Sequence, residues 1–229
     1  YYAYTNDRTA DALLALSNDL SRYAEGDGVP AALPAAARKV PGPTVVRIPP
    51  SERGIGEKVA LVRGVDRIAR GYSPEIRQVR VTSSESLRTI EVAAHPGVFT
   101  REAQTYGVLA VQCVAGDGAG LTMGYESAGG TEGLEFLEGG VPEELARKAA
   151  GRAVRALHAA KLRGGRMPVV LSSEAGGTMV HEAVGHGLEA DLARRGMSIY
   201  KEKLGERVGS PLVSIADDAT VPGKRGSYG

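Results

Sequence analysis

His181 and Glu182 stand side by side, and a second histidine, His186, follows five residues after the first. Two imidazoles are good ligands for zinc, and a carboxylate next to one of them can serve as a general base. The expected chemistry is hydrolysis with Zn2+ as cofactor. The metal, held by His181 and His186, would polarise a carbonyl and lower the pKa of a water to about 7. Glu182 would take the proton of that water and pass it to the leaving amine.

The spacing sets a condition on the backbone. The familiar zinc-peptidase arrangement has histidines at i and i+4, on one helix face. At i and i+5, with about 100° per residue, the two side chains of a regular α-helix point roughly 140° apart. A π-type widening to about 4.4 residues per turn reduces that to roughly 50°. A bulge or break near Gly185 is therefore expected, glycine being tolerant of unusual backbone angles. Val180, Val184, Leu188 and Leu192 form an apolar stripe beside His181. A lone histidine there would more often be a satisfied core residue, and spacing alone leaves both readings open. Two ligands are also one short of the usual three for a catalytic zinc. Glu189 is a possible third; Glu189 and Asp191 could instead orient a ligand from behind, or equally be solvated helix charges. A group beyond Gly229 is the other source.

Other reactive residues read as structural. Cys113 lies in a run apolar on both faces and is expected in the core. His95 precedes Pro96-Gly97 and reads as a turn residue, and His158 as a surface or edge residue of a helix. The glycines at 116, 118 and 120 sit between strands rather than between a strand and a helix, so a dinucleotide site is not expected.

The elements that must position the motif follow from periodicity. Asp11 to Glu25 reads as an amphipathic helix with Leu13, Leu16, Leu20 and Tyr23 on one face. Residues 26–50 hold Pro30, Pro34, Pro41, Pro43, Pro49 and Pro50, which excludes helix and central strand and predicts a long exposed loop. A second helix fits Gly56 to Tyr72. Arg77 to Thr82 and Thr89 to Ala93 alternate, and the Ser-rich stretch between them predicts a hairpin turn. Tyr106 to Ala115, apolar on both faces, predicts a central strand covered on both sides. Leu121 to Glu126 alternates again and extends an antiparallel meander. A helix starts at Pro142, with Glu143 and Glu144 in its first turn and Lys161 and Arg163 near its end. Met167 to Leu171 reads as a short buried strand leading into the motif helix. The expected fold class is α+β, with helices packed on a largely antiparallel sheet. A domain of residues 1–164 is expected to be followed by residues 165–229, the truncated start of a second domain. The first residue is not Met, so the chain reads as the middle of a longer protein.

Composition narrows the function classes. The 229 residues carry a formal charge of +1, so no basic stripe points to nucleic acid. Apolar runs fall short of membrane-spanning length, and no secretory signal is visible. A single cysteine excludes an intrachain disulfide and fits a reducing compartment, hence the cytoplasm.

The stretch Met167-Pro-Val-Val-Leu-Ser-Ser-Glu-Ala-Gly-Gly-Thr-Met-Val-His181-Glu-Ala-Val-Gly-His186-Gly-Leu-Glu-Ala-Asp191 resembles the TldD side of the TldD/PmbA family. Lys203-Leu-Gly-Glu-Arg-Val-Gly-Ser-Pro-Leu-Val-Ser-Ile-Ala-Asp-Asp and Val221-Pro-Gly-Lys-Arg-Gly-Ser are similar as well. So are the opening Tyr-Ala-Tyr-Thr-Asn-Asp and Gly56-Glu-Lys-Val-Ala-Leu. The resemblance implies a cytoplasmic zinc metallopeptidase acting on unfolded or flexible peptides. It implies zinc ligands at His181 and His186, the base at Glu182, and a homodimer or a heterodimer with a PmbA-like subunit. The family's third ligand is a cysteine near its C-terminus, which Cys113 does not match. The alternative is a non-catalytic dimerisation or binding subunit of such a complex. The family's older label, modulator of DNA gyrase, finds no support in this charge balance.

Overall fold

Three consecutive runs of strand-forming residues pair antiparallel and make the frame on which two helices pack. The structure is a computed structural model that describes residues 3–23, 38–39, 45–94, 98–218, 220–221 and 224. The sheet contains β1 (Arg38–Lys39), β2 (Ile76–Ala94), β3 (Val98–Gly116) and β4 (Leu121–Gly130). β3 is central, with β2 along one edge; β4 and the two-residue β1 occupy the other. The helices of this part are α1 (Ala10–Ser21), α2 (Ile55–Arg70) and α3 (Val141–Leu157). The fold is α+β.

One face of the sheet is covered. Val79 on β2 and Leu109, Val111, Cys113 and Ala115 on β3 are buried against Val65 and Ala69 of α2 and Leu145, Ala146, Ala149, Ala150 and Ala153 of α3. The alanine face of α3 allows a close approach. An added Cβ at Gly124 of β4 would stand 2.1 Å from the Ala149 carbonyl oxygen, and Thr122 Oγ1 donates to the Ala153 carbonyl at 2.8 Å. The helix termini carry the expected charges: Glu143 and Glu144 at the start of α3, Arg67 and Arg70 at the end of α2. A one-turn helix, Leu134–Leu137, buries Leu134, Phe136 and Leu137 at the edge of this core.

Several sequence expectations are corrected. Arg77 to Thr82 and Thr89 to Ala93 are not two arms of a hairpin: β2 runs unbroken through Ser83–Leu87. Glu85 lies on the covered side, where Lys58 Nζ bonds both its carboxylate (2.6 Å) and the Pro50 carbonyl (2.7 Å). A polar residue with a half-buried partner thus continues a strand that its composition suggested would turn. The other side of β3 is not covered by any described element, and Met123 and Tyr125 on that face of β4 are about half exposed. α3 stops at Leu157 rather than near Arg163. Met167 to Leu171 forms no strand; Val169 and Val170 are exposed, and among the described residues no strand pairs with them. α1 buries no residue. Most of the proline loop, and His95, lie outside the described residues. No helix among the described residues is long and apolar enough to cross a membrane.

Candidate metal centre

The motif lies on one helical run made of three kinds of turn. α4 (Ser173–Val180) continues into a π turn, His181–Gly185, then into a 3-10 turn, His186–Leu188. A short α5 (Ala190–Arg194) follows. The His186 amide donates to the His181 carbonyl, the i to i+5 bond that defines the wide turn. This is the distortion that the five-residue spacing requires. Its cause is not the one expected, because Gly185 keeps ordinary right-handed helical angles (φ −54°, ψ −54°). Nor does a lack of room require glycine at 185. A Cβ there would lie 3.5 Å from His181 Nδ1, in contact with the imidazole.

The wide turn brings the two rings together. Their centroids are 4.4 Å apart in an edge-to-face arrangement. Donor atoms of His181, Glu182 and His186 all lie within 4.8 Å of one another, and all three side chains are exposed. His186 Nε2 is 3.6 Å from Glu182 Oε2, and its Nδ1 is 2.6 Å from Glu189 Oε1. Two imidazole nitrogens and an adjoining carboxylate suit a borderline-soft cation such as zinc. The residues present therefore fit the metal that the motif suggests. Glu189 lies outside that group of converging donors, and Asp191 sits in the first turn of α5.

A second contact, not foreseen from sequence, braces the turn. Ser198 Oγ donates to the Gly187 carbonyl, and a Cβ on Gly187 would stand 2.7 Å from the Tyr200 ring. A side chain at 187 would require the Tyr200 ring to move. The pairing joins residues eleven apart across the short α5, so no local periodicity announces it.

The other candidates fall where their surroundings predict. Cys113 is fully buried on the covered face of β3, and burial pushes its thiol up to about 11. His158 caps α3 at the surface and pairs with Glu75 at 2.8 Å. Residues 117–120 turn between β3 and β4, with Asp117 Oδ1 accepting from the amides of Ala119 and Gly120.

Comparison with known proteins gives the class. Residues 48–157 match the PmbA/TldA metallopeptidase central domain, and residues 164–229 match the PmbA/TldA metallopeptidase C-terminal domain. The chain belongs to the PmbA/TldD metallopeptidase family. It is 39% identical over 183 residues to a metalloprotease of Methanothermobacter thermautotrophicus, a match covering 79% of this chain and 39% of that protein. It is 33% identical over 176 residues to the metalloprotease TldD homolog of Haemophilus influenzae, covering 75% of this chain and 36% of that one. The chain thus spans about two fifths of the length of these relatives. Two crystal structures share the fold. One, from Thermotoga maritima, has a TM-score of 0.65 at 22% identity over 76% of this chain and 39% of its own. The other, from Bacteroides thetaiotaomicron, has a TM-score of 0.67 at 18% identity over 90% and 48%. Both carry the name of a modulator of DNA gyrase.

Proposed function

We propose that the chain carries the metal-binding half of a zinc-dependent peptidase site, with His181 and His186 as ligands and Glu182 as general base. The observation that supports it most is the π turn. It is an uncommon distortion, it falls on the five residues His181–Gly185, and it gathers donor atoms that a regular helix would turn apart. Zinc, when bound, polarises the substrate carbonyl and brings the pKa of a water to about 7. Glu182, exposed and next in sequence to one ligand, receives the proton of the attacking water and delivers it to the departing amine. Unfolded or flexible peptides are the substrate class that the family resemblance implies. The whole protein is then a cytoplasmic peptidase, as a homodimer or with a PmbA-like partner. Residues 1–164 form one domain of it and residues 165–229 begin the next.

The test uses the full-length protein. Zinc content and peptide cleavage are measured for the parent and for Glu182→Gln. The variant should keep its zinc and lose cleavage by about 100-fold to 10,000-fold, the range a positioned proton carrier supplies. Unchanged turnover would remove Glu182 from its role. A full-length parent that takes up no metal would favour the non-catalytic subunit instead.

A further inference from the structure

We infer that Glu189 is a positioning residue for His186: its carboxylate fixes which ring nitrogen faces the metal. The inference rests on the metal reading above and adds to it the orientation of one ligand. The 2.6 Å contact joins Glu189 Oε1 to His186 Nδ1. An ionised carboxylate only accepts, so in this pair Nδ1 carries the hydrogen and Nε2 of the neutral ring is left with its lone pair. Nε2 is the nitrogen on the Glu182 side, 3.6 Å from its carboxylate, and His186 and Glu182 both belong to the group of converging residues. Glu189 thus selects the tautomer and makes the ring a better electron-pair donor.

The backbone explains why residue 189 can do this. The 3-10 turn His186–Leu188 ends at Glu189, where the chain becomes extended (φ −60°, ψ 130°). The Glu189 amide donates to the His186 carbonyl at 3.3 Å, which folds the carboxylate back over the ring three residues earlier. The same geometry argues against Glu189 as a third ligand, since its oxygens are outside the 4.8 Å donor group and one is committed to Nδ1. Asp191, the other acidic residue nearby, has no such contact to a histidine.

Four full-length proteins decide it: the parent, Glu189→Ala, Glu189→Gln and Asp191→Asn. Zinc affinity is measured by competition with a chelator, and the cobalt-substituted forms are compared by their visible absorption bands. Loss of an outer hydrogen-bond partner of a ligating histidine costs about 10-fold to 100-fold in metal affinity. That loss, with a shifted cobalt spectrum, is expected for Glu189→Ala. Glu189→Gln should fall between it and the parent, because its amide oxygen still accepts from Nδ1–H. Asp191→Asn should match the parent. The Glu189 side chain is about half exposed, so far-UV dichroism and melting should be alike in all four. An alanine variant that binds zinc as tightly as the parent, with the parent's spectrum, overturns the inference and leaves the metal site standing. Complete loss of binding in that variant overturns it in favour of direct ligation. A parent that binds no zinc overturns the metal reading itself.

Discussion

Among single residues, the contrast between Cys113 and the motif histidines separates structure from chemistry. Both are residue types that bind metal, yet only the histidines meet other donors. Cys113 is paired across the sheet with Val79 and Gly124 and has no access to solvent. Its apolar setting was legible in sequence, from a run with apolar residues on both sides. Burial raises its pKa from 9.0 to about 11, because the thiolate is disfavoured there. The sign of the linkage follows. Between pH 9 and 11 the unfolded chain has lost the proton while the folded chain keeps it, so stability falls as pH rises through that window. Two units correspond to about 2.7 kcal/mol once both forms are ionised. Replacing Cys113 with Ala should remove that part of the alkaline loss, although the parent is the more stable at pH 7. Urea unfolding at pH 7 and pH 10.5 measures both, and an identical pH dependence in the two proteins would defeat the argument. The thiol should also stay unreactive toward a disulfide reagent at pH 8 until the protein is unfolded.

Single elements were legible where one period ran unbroken and obscure where a distant partner intervened. The wide turn at His181–Gly185 could be anticipated because two histidines five apart meet only if the helix widens. α2 and α3 followed from their apolar spacing and terminal charges. The continuity of β2 could not be read, since the partner of Glu85 is Lys58 on another element. The same holds for close approaches. Nothing in Leu121–Gly130 says that Gly124 must be glycine, but the backbone of α3 occupies the place of its side chain, with the Ala149 oxygen at 2.1 Å and the Ala153 nitrogen at 2.5 Å. Backbone cannot swing aside as a side chain can. Gly124→Ala must therefore lift α3 from β4, and we expect a loss of about 3 kcal/mol or more, at the upper end for overpacking. Gly64 in α2 gives the opposite case. A Cβ there meets nothing within 4 Å, and Gly64→Ala should stabilise by roughly 0.5–1 kcal/mol through helix propensity. Denaturant midpoints of the two variants should move in opposite directions. A Gly124→Ala protein with the parent's midpoint would mean that the two elements are not held this tightly.

Taken as a whole, the molecule shows how far an α+β reading from periodicity reaches. The class, the antiparallel order and the two packing helices all follow from local pattern. The ends of β2 and β3 do not, because their length exceeds what the core can cover. The two strands pair from Gln78 to Ala94 against Val98 to Val114, whereas β4 joins only Gly107–Gly116. Among the described residues, full apolar burial on these strands lies in the same half: Leu109, Val111 and Cys113 are inaccessible, while Leu87 and Val92 farther out are 73% and 48% exposed. Two-stranded ribbons without an apolar face are marginal in water. Among the described residues, the far half has its own ladder, the two-residue β1 beside Thr100 and Arg101, the Lys58–Glu85 pair at its root, and polar links such as Tyr106 and Glu102 to Gln104. It should therefore open without global unfolding. Native-state hydrogen exchange on the full-length protein tests this residue by residue. Amides at 79–83 and 109–115 should exchange near the global unfolding limit. Those at 88–93 and 99–103 should exchange at least about 100-fold faster, the opening free energy falling with distance from α2 and α3. Uniform protection along both strands would contradict the gradient. It would mean that some other surface of the full-length protein covers the far half as firmly as α2 and α3 cover the near one.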